Sequence, residues 1–365
     1  MVPTLVDRVL LAPLLAFVFV RTLLALLNSP FRGVNGAPTA GDHIVTSAFR
    51  ALFKAATIGQ LQLLMPPFAS NYERWCKQRK LQPDIVDIPN INIRGFWIGN
   101  QQSAKYAMVY FHGGAFVMPG FVGHLNMLFR FVQWSDGELA IFCPSYTLAP
   151  DGLYPLQIRE CVEAVRYVLS LPGRTVQTTL LGGDSCGGNL VLAVVSHVSG
   201  HPHPRSEVVK PLYLSGNFYG VLAIGPWVSS DEARFQSMTE FANRDTVLTS
   251  CSHYWIEEYK GQGKGSSDDE YITPEVAPAS WWSGAKVSSC LVTVGEHETL
   301  RDSILSWADK FVKGVGRDVT RLVVGKKEIH ITPVTRPKRA EELEGLGREC
   351  QEAAVREWIR EKIAK

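Results

Sequence analysis

A serine set between glycines on a sharp turn is the residue in this chain best placed for covalent chemistry. Gly183-Asp184-Ser185-Cys186-Gly187-Gly188-Asn189 follows the apolar run Thr179-Leu180-Leu181 and reads as Gly-x-Ser-x-Gly. A strand-to-helix turn of this kind is so tight that only glycine fits two residues either side of the serine. It holds the Ser185 hydroxyl proud of the sheet edge and places the Cys186 amide at the start of the next helix. A second glycine turn, His112-Gly113-Gly114-Ala115-Phe116, follows Ala107-Met108-Val109-Tyr110-Phe111. Its backbone amides can aim at the same point. Together the two turns make a nucleophile and an oxyanion hole, the parts that acyl transfer needs most. Either motif alone reads as a glycine loop closing a strand–helix unit; the pair, each behind an apolar run of strand length, defines a site.

His-Gly-Gly-x-Phe upstream of Gly-Asp-Ser-x-Gly-Gly-Asn resembles the hormone-sensitive-lipase group of α/β-hydrolases. Between them, Ser145-Tyr146-Thr147-Leu148-Ala149-Pro150-Asp151-Gly152-Leu153-Tyr154-Pro155 is similar to that group's Tyr-Arg-Leu-Ala-Pro-Glu…Phe-Pro segment. The resemblance covers roughly residues 80–335 and is strongest to fungal members, some of them membrane-anchored sterol-acetate deacetylases. Two departures stand out: Thr147 where the group has arginine, and Cys186 where it has a small Ala or Ser. Both could loosen support of the oxyanion loop.

A serine hydroxyl is a poor nucleophile at neutral pH, so Ser185 needs a base, and the base needs an orienting carboxylate. In this fold the chain order is serine, acid, histidine. Six histidines follow Ser185: His197, His201, His203, His253, His297 and His330. His197 belongs to the helix behind the turn, His201 and His203 to a proline-flanked surface loop, and His253 to an inserted segment. His297 adjoins every candidate acid. His330, just past the last strand Leu322-Val323-Val324, is where the fold delivers the base. The acid should leave the preceding strand, Cys290–Gly295, where Glu296, Glu298 and Asp302 are available. Against the group's Asp-x-Leu-Arg-Asp pattern, Glu298-Thr299-Leu300-Arg301-Asp302 aligns Glu298 with the acid, one methylene longer than usual. The oxyanion hole draws on Cys186 and on two of the adjacent amides of Gly113, Gly114 and Ala115. His112 reads as a brace for that loop, and Cys186, one residue past the turn's apex, as no nucleophile.

The elements that must position these groups follow an α/β pattern. Alternating text at 85–88 and 91–98 suggests opening antiparallel strands, and 106–111, 139–143, 178–181, 221–225, 291–294 and 322–324 read as buried strands separated by helices. The expected fold is an α/β-hydrolase, a mostly parallel sheet with ligands bound beyond the strands' carboxyl ends. Residues 34–80 read as linker then helical cap, 238–282 as a second cap segment inserted after the sixth strand, and 340–365 as a closing amphipathic helix.

The chain has 365 residues, 46% hydrophobic, with net charge +2. That is ample for a core, and it gives no electrostatic footprint for nucleic acid. Seven scattered cysteines without C-x-x-C spacing argue against a zinc site and against a disulfide framework. No metal or organic cofactor is implied. From Val9 to Leu27 the text is apolar except for Thr22 and Arg21, long enough to cross a bilayer. Residues 1–33 therefore read as an uncleaved hydrophobic anchor ahead of a catalytic domain at 34–365; an interfacial helix, a buried helix leading into the cap and a cleaved signal remain open. The resemblance implies a membrane location, at the endoplasmic reticulum, with orientation and oligomeric state unresolved.

The expected activity is that of a serine carboxylester hydrolase working through an acyl-enzyme. Trp255, Tyr259, Trp281 and Trp282, with Phe116 and Phe121, suggest a lipophilic alcohol carrying a short acyl group, such as a sterol or secondary-metabolite acetate. Acyl transfer or amide cleavage by the same residues, and a non-catalytic small-molecule binding protein, are the alternatives.

Overall fold

Apolar runs too short for helices build the centre of the molecule. The computed structural model describes residues 3–33, 36–261 and 269–363. Eight strands, β1 (Ile85–Asp87), β2 (Arg94–Ile98), β3 (Tyr106–Phe111), β4 (Leu139–Pro144), β5 (Thr179–Asp184), β6 (Gly220–Ile224), β7 (Cys290–Gly295) and β8 (Thr320–Gly325), form one sheet in the order β1-β2-β4-β3-β5-β6-β7-β8. β1–β2 and β2–β4 pair antiparallel, and all other pairs are parallel. Phe111 lies level with Gly183, and Gly295 with Gly325. The carboxyl ends of β3, β5, β7 and β8 therefore open onto one edge, where the loops carrying the candidate residues begin.

Among the described residues, five α-helices precede the sheet: α1 (Leu5–Val9), α2 (Leu11–Asn28), α3 (Ala40–Ala55), α4 (Ile58–Leu64) and α5 (Phe68–Arg79). The parallel strands are joined by α6 (Val122–Trp134), α7 (Leu156–Ser170), α8 (Cys186–Val198) and α11 (Arg301–Val315). After β6 an insertion carries α9 (Ser237–Glu240) and α10 (Thr249–Lys260), and beyond β8 come α12 (Thr332–Thr335), α13 (Ala340–Leu343) and α14 (Gln351–Lys362). Alternation along β5 divides the core. Leu181 joins Val109, Phe142 and helices α7, α8 and α11 on one face. Leu180 joins Met108, Ile141 and helices α5, α6 and α14 on the other. Leu181 is fully buried, so Leu181→Ala is expected to cost about 3 kcal/mol, read as a lowered urea midpoint at unchanged slope.

Two expectations need correction. The closing helix is not continuous over 340–365: Gly345 (φ 85°) and Gly347 (φ 42°) adopt left-handed backbone between α13 and α14. Only α14 lies on the sheet, through Ala354, Val355, Trp358 and Ile359. The helical text from Thr46 to Arg79 is also three helices, broken at Ala56-Thr57 and at Pro66-Pro67. Thr57 caps α4, accepting from Gln60 N–H while Gln60 Oε1 accepts from Thr57 N–H. Residues 34 and 35, at the start of the expected linker, and 262–268 and 364–365 lie outside the described residues.

Candidate active site

Ser185 sits at the join of β5 and α8 with φ 54° and ψ −124°, a strained conformation for a residue with a side chain. Glycine is required at both flanks. A Cβ at Gly183 would lie 2.4 Å from the Gly187 carbonyl oxygen, and one at Gly187 would lie 2.0 Å from the Phe111 carbonyl oxygen. The turn is held by Ser185 N–H donating to Ile224 O at 2.9 Å and by Trp227 N–H donating to Ser185 O at 2.9 Å.

The structure brings together Ser185, His330 and Glu298, the serine lying 145 positions before the histidine and the histidine 32 after the glutamate. Ser185 Oγ lies 2.9 Å from His330 Nε2, and His330 Nδ1 lies 2.7 Å from Glu298 Oε1. With the proton on Nδ1, the imidazole donates to Glu298 and its Nε2 is free to accept the serine proton. Glu298 is fully buried, and its second oxygen accepts from Gly295 N–H at 2.7 Å. Gly225 (φ 49°) makes room: a Cβ there would stand 2.9 Å from Glu298 Oε1 and 3.2 Å from His330 Nδ1. Burial alone would lower the His330 imidazole. The charge and hydrogen bond of Glu298 more than offset this, with Asp245 and Asp184 adding to them, and hold His330 above its ordinary value.

Asp245, in the insertion after β6, has no counterpart in the sequence reading. It is fully buried. Its Oδ1 accepts from the N–H groups of His330 (3.2 Å) and Thr246 (2.7 Å), and its Oδ2 accepts from the N–H (2.7 Å) and hydroxyl (3.0 Å) of Thr299. One carboxylate thus ties the insertion to both loops that carry Glu298 and His330. No motif marks it, because its partners are backbone groups that come near only in the fold. Asp245→Asn keeps the shape but puts a donor where an acceptor is needed. It should lower kcat on a soluble ester about tenfold, with KM little changed, and reduce thermal stability by about 2 kcal/mol.

The other carboxylates are engaged elsewhere. Asp302 accepts from Arg301 Nε at 2.9 Å and from Ser237 N–H at 2.9 Å, and Glu296 accepts from Lys327 N–H at 2.8 Å. His297 lies against Arg244 and the Phe241 ring, away from Ser185. His203 is not a surface residue as its prolines suggest. It is buried, with Nε2 2.8 Å from the Tyr154 hydroxyl.

The oxyanion loop is braced from below. Asp184 Oδ1 accepts from Gly113 N–H at 3.0 Å and from the Tyr110 hydroxyl at 2.9 Å, and its Oδ2 lies 3.2 Å from His124 Nε2. This corrects the place given to Gly113. Its amide is committed to Asp184, which leaves Gly114 and Ala115 beside Cys186 as the amides able to face an oxyanion. Left-handed backbone at Gly114 (φ 131°), Ala115 (φ 55°) and Phe116 (φ 62°) turns that stretch away from the strand direction. His112 is buried, its Nδ1 2.7 Å from Gly113 O, and its ring stacks on Tyr146. Burial, then the proximity of His124, pushes it down to about 4, so it stays neutral. The Tyr146 hydroxyl donates to His112 O at 2.8 Å.

The two departures from the group's pattern have structural explanations. Cys186 Sγ accepts from Phe116 N–H at 3.1 Å, so it supports the loop rather than loosening it. Burial pushes its thiol up to about 12. Thr147 is held by Glu160, whose oxygens accept from its N–H and its hydroxyl, both at 2.7 Å.

An apolar cavity of about 170 Å³ opens onto Ser185 and His330. Phe49, Phe53 and Met65 line it from the N-terminal helices, Trp255 from the insertion, and Met118 and Ile331 from the body. Of the aromatics singled out in the sequence, only Trp255 and Phe121 reach this cavity. Phe116 and Tyr259 stack on each other at 3.8 Å. Trp282 is a core residue packed against Trp307 and Phe311, and the half-buried Trp281 stacks on His201 at the core's edge.

The chain belongs to the α/β-hydrolase fold family, whose model matches residues 108–333. Within that family it is hormone-sensitive-lipase-like and related to fungal esterases. It is 27% identical over 263 residues to the Schizosaccharomyces pombe protein named "Putative steryl acetyl hydrolase mug81", a match covering 68% of this chain and 63% of that protein. It is 30% identical over 170 residues to an esterase of Acinetobacter venetianus, covering 45% of this chain and 55% of the relative. The chain thus spans less than two thirds of these relatives' length. Among solved structures, an esterase from the bacterial hormone-sensitive lipase family superposes with TM-score 0.61 at 20% identity, covering 94% of this chain and 98% of that one. A hormone-sensitive lipase from a metagenome library gives 0.64 at 18%, covering 88% and 98%. At these identities the likeness speaks to the fold.

Proposed function

We propose that the protein is a serine carboxylester hydrolase that removes a short acyl group, acetyl above all, from a lipophilic alcohol. The observation that carries this reading is the unbroken line of hydrogen bonds from Ser185 through His330 to Glu298 at the floor of an apolar cavity. Ser185 Oγ attacks the ester carbonyl while its proton passes to His330 Nε2, and Glu298 stabilises the imidazolium. The amides of Cys186, Gly114 and Ala115 hold the oxyanion. Collapse returns the proton to the departing alcohol and leaves the acyl group on Ser185; water, activated by the same imidazole, releases it. Supporting the substrate class are the small, mostly apolar cavity and the steryl acetyl hydrolase name of one relative. Membrane association through α2 belongs to the same proposal, since its segment is long and apolar enough to cross a bilayer and is mostly exposed.

The test is fluorophosphonate labelling with peptide mapping, followed by an acyl-chain series on p-nitrophenyl esters. Modification at Ser185 and a fall in kcat/KM beyond the shortest acyl chains are expected. Labelling elsewhere would overturn the mechanism, and preference for long chains would overturn the substrate class. Product analysis with competing alcohols separates hydrolysis from acyl transfer.

A further inference from the structure

The helix α2 is not an isolated anchor, and its single charge is not stranded in apolar surroundings. Leu14 and Ala25 are its buried residues, and Leu11 and Val18 also face the body. Arg21, itself exposed, is in helical register with that stripe, between Val18 and Ala25, and together with α3 it lines a cleft of about 830 Å³. From α3, His43, Arg50 and Lys54 line this cleft, and Arg32 closes one end. No carboxylate lines it among the described residues. Two of the four permanent cations are fixed in place. Arg32 donates to the carbonyls of Ser29 (2.8 Å), Ala37 (3.0 Å) and Pro38 (3.2 Å), and Arg50 donates to the Ala242 carbonyl. Arg21 and Lys54 have no carboxylate partner among the described residues. Burial lowers the Arg50 guanidinium from its ordinary value; Asp245 opposes this and Arg21 adds to it. An anion between them would relieve that repulsion. The helices α1 and α2 expose Leu5, Phe19 and Leu27, and the turn after α2 exposes Phe31 at the cleft.

We propose that the α2–α3 cleft binds the phosphate of an anionic phospholipid headgroup, with the exposed apolar residues of α1 and α2 dipping into the acyl layer beside it. This rests on the membrane part of the reading above and is independent of the esterase chemistry. The geometry favours a helix lying in the interface over one that crosses it. α2 packs lengthwise on α3, and Asp7 of α1 accepts from the Thr57 hydroxyl at the start of α4 at 2.6 Å. A crossing helix would drag the cleft's cations into hydrocarbon, where each is costly. In the headgroup layer the same cations meet phosphate, and the cleft becomes a fitted site rather than a penalty.

The test is flotation of the full chain with phosphatidylcholine vesicles, with and without phosphatidic acid. Stronger partitioning onto the phosphatidic acid vesicles is expected. The paired change Arg21→Gln with Lys54→Gln should weaken that partitioning roughly twenty-fold. Its hydrolysis of p-nitrophenyl acetate in solution should be unchanged, which also reports correct folding. A control pair outside the cleft, Arg205→Gln with Lys313→Gln, removes the same charge and should bind like the parent. The proposal is overturned if phosphatidic acid adds nothing, if both pairs lose binding equally, or if glycerol 3-phosphate binds the cleft with no gain on vesicles. In each of those cases labelling at Ser185 would still stand or fall by itself.

Discussion

Ser185→Ala is expected to abolish p-nitrophenyl acetate hydrolysis and fluorophosphonate labelling together, with kcat down about a million-fold. The residual rate should still exceed that in water, because the Cys186, Gly114 and Ala115 amides remain and can polarise the carbonyl. The fold should be unaffected. Alanine keeps a Cβ at the backbone angles serine already tolerates, φ 54° and ψ −124°, and only one hydroxyl is lost, so stability should change by about 0.5 kcal/mol or less. The neighbouring thiol offers no rescue. Cys186 Sγ is buried, accepts from Phe116 N–H, and is pushed up to about 12 by burial; at neutral pH it is a thiol, not a thiolate. Its side chain faces the underside of the oxyanion loop, away from the cavity. Full activity in Ser185→Ala would therefore sink the covalent mechanism, because no other nucleophile among the described residues shares a hydrogen bond with His330 Nε2.

Much of the arrangement is legible in the text because it is a consequence of strand ends. Ser185, Glu298 and His330 each follow a short apolar run, and a parallel sheet brings the carboxyl ends of such runs to one edge. The glycines at 183, 187 and 225 mark close approaches that a side chain would block. What escapes the text is support by backbone groups. Asp184 spends one oxygen on the Gly113 amide, which removes Gly113 from the oxyanion hole although its sequence position suits it. Asp245 holds two loops through amides, whose sequence neighbours carry no signature. Cys186 looks like a gap in the loop's support and is instead one of its acceptors. Composition also misleads at Trp281 and Trp282: an aromatic-rich insertion suggests a substrate wall, but these two indoles fill the space behind α8 and α11. The charge in α2 misleads in the opposite direction. Read along the sequence, Arg21 interrupts a hydrophobic span; read on the helix, it is in register with the stripe that faces α3.

Glu298→Gln is expected to lower kcat/KM on soluble esters about ten-thousand-fold and to move the acid limb of the pH profile downward. The sign follows from the forces on His330. Burial pulls its pKa below the ordinary 6.5, and the Glu298 charge, assisted by the hydrogen bond at 2.7 Å, pulls it above. In the parent protein the neutral imidazole that accepts the serine proton therefore becomes the major form at a pH above the ordinary value, so kcat/KM should rise through a limb on the alkaline side of 6.5. Glutamine removes the charge but leaves the burial, so the limb should fall to lower pH. The imidazolium that forms in the transition state then lacks its stabilising carboxylate, and the amide can orient the wrong tautomer by donating to Nδ1. A large loss of plateau rate with a limb at lower pH is the joint signature of that role. A large loss with an unmoved limb would mean that Glu298 holds the loop without acting on the imidazole. The charge governing His330 would then have to be that of Asp245, whose Oδ1 accepts from the His330 amide at 3.2 Å, and Asp245→Asn would be the variant that shifts the limb.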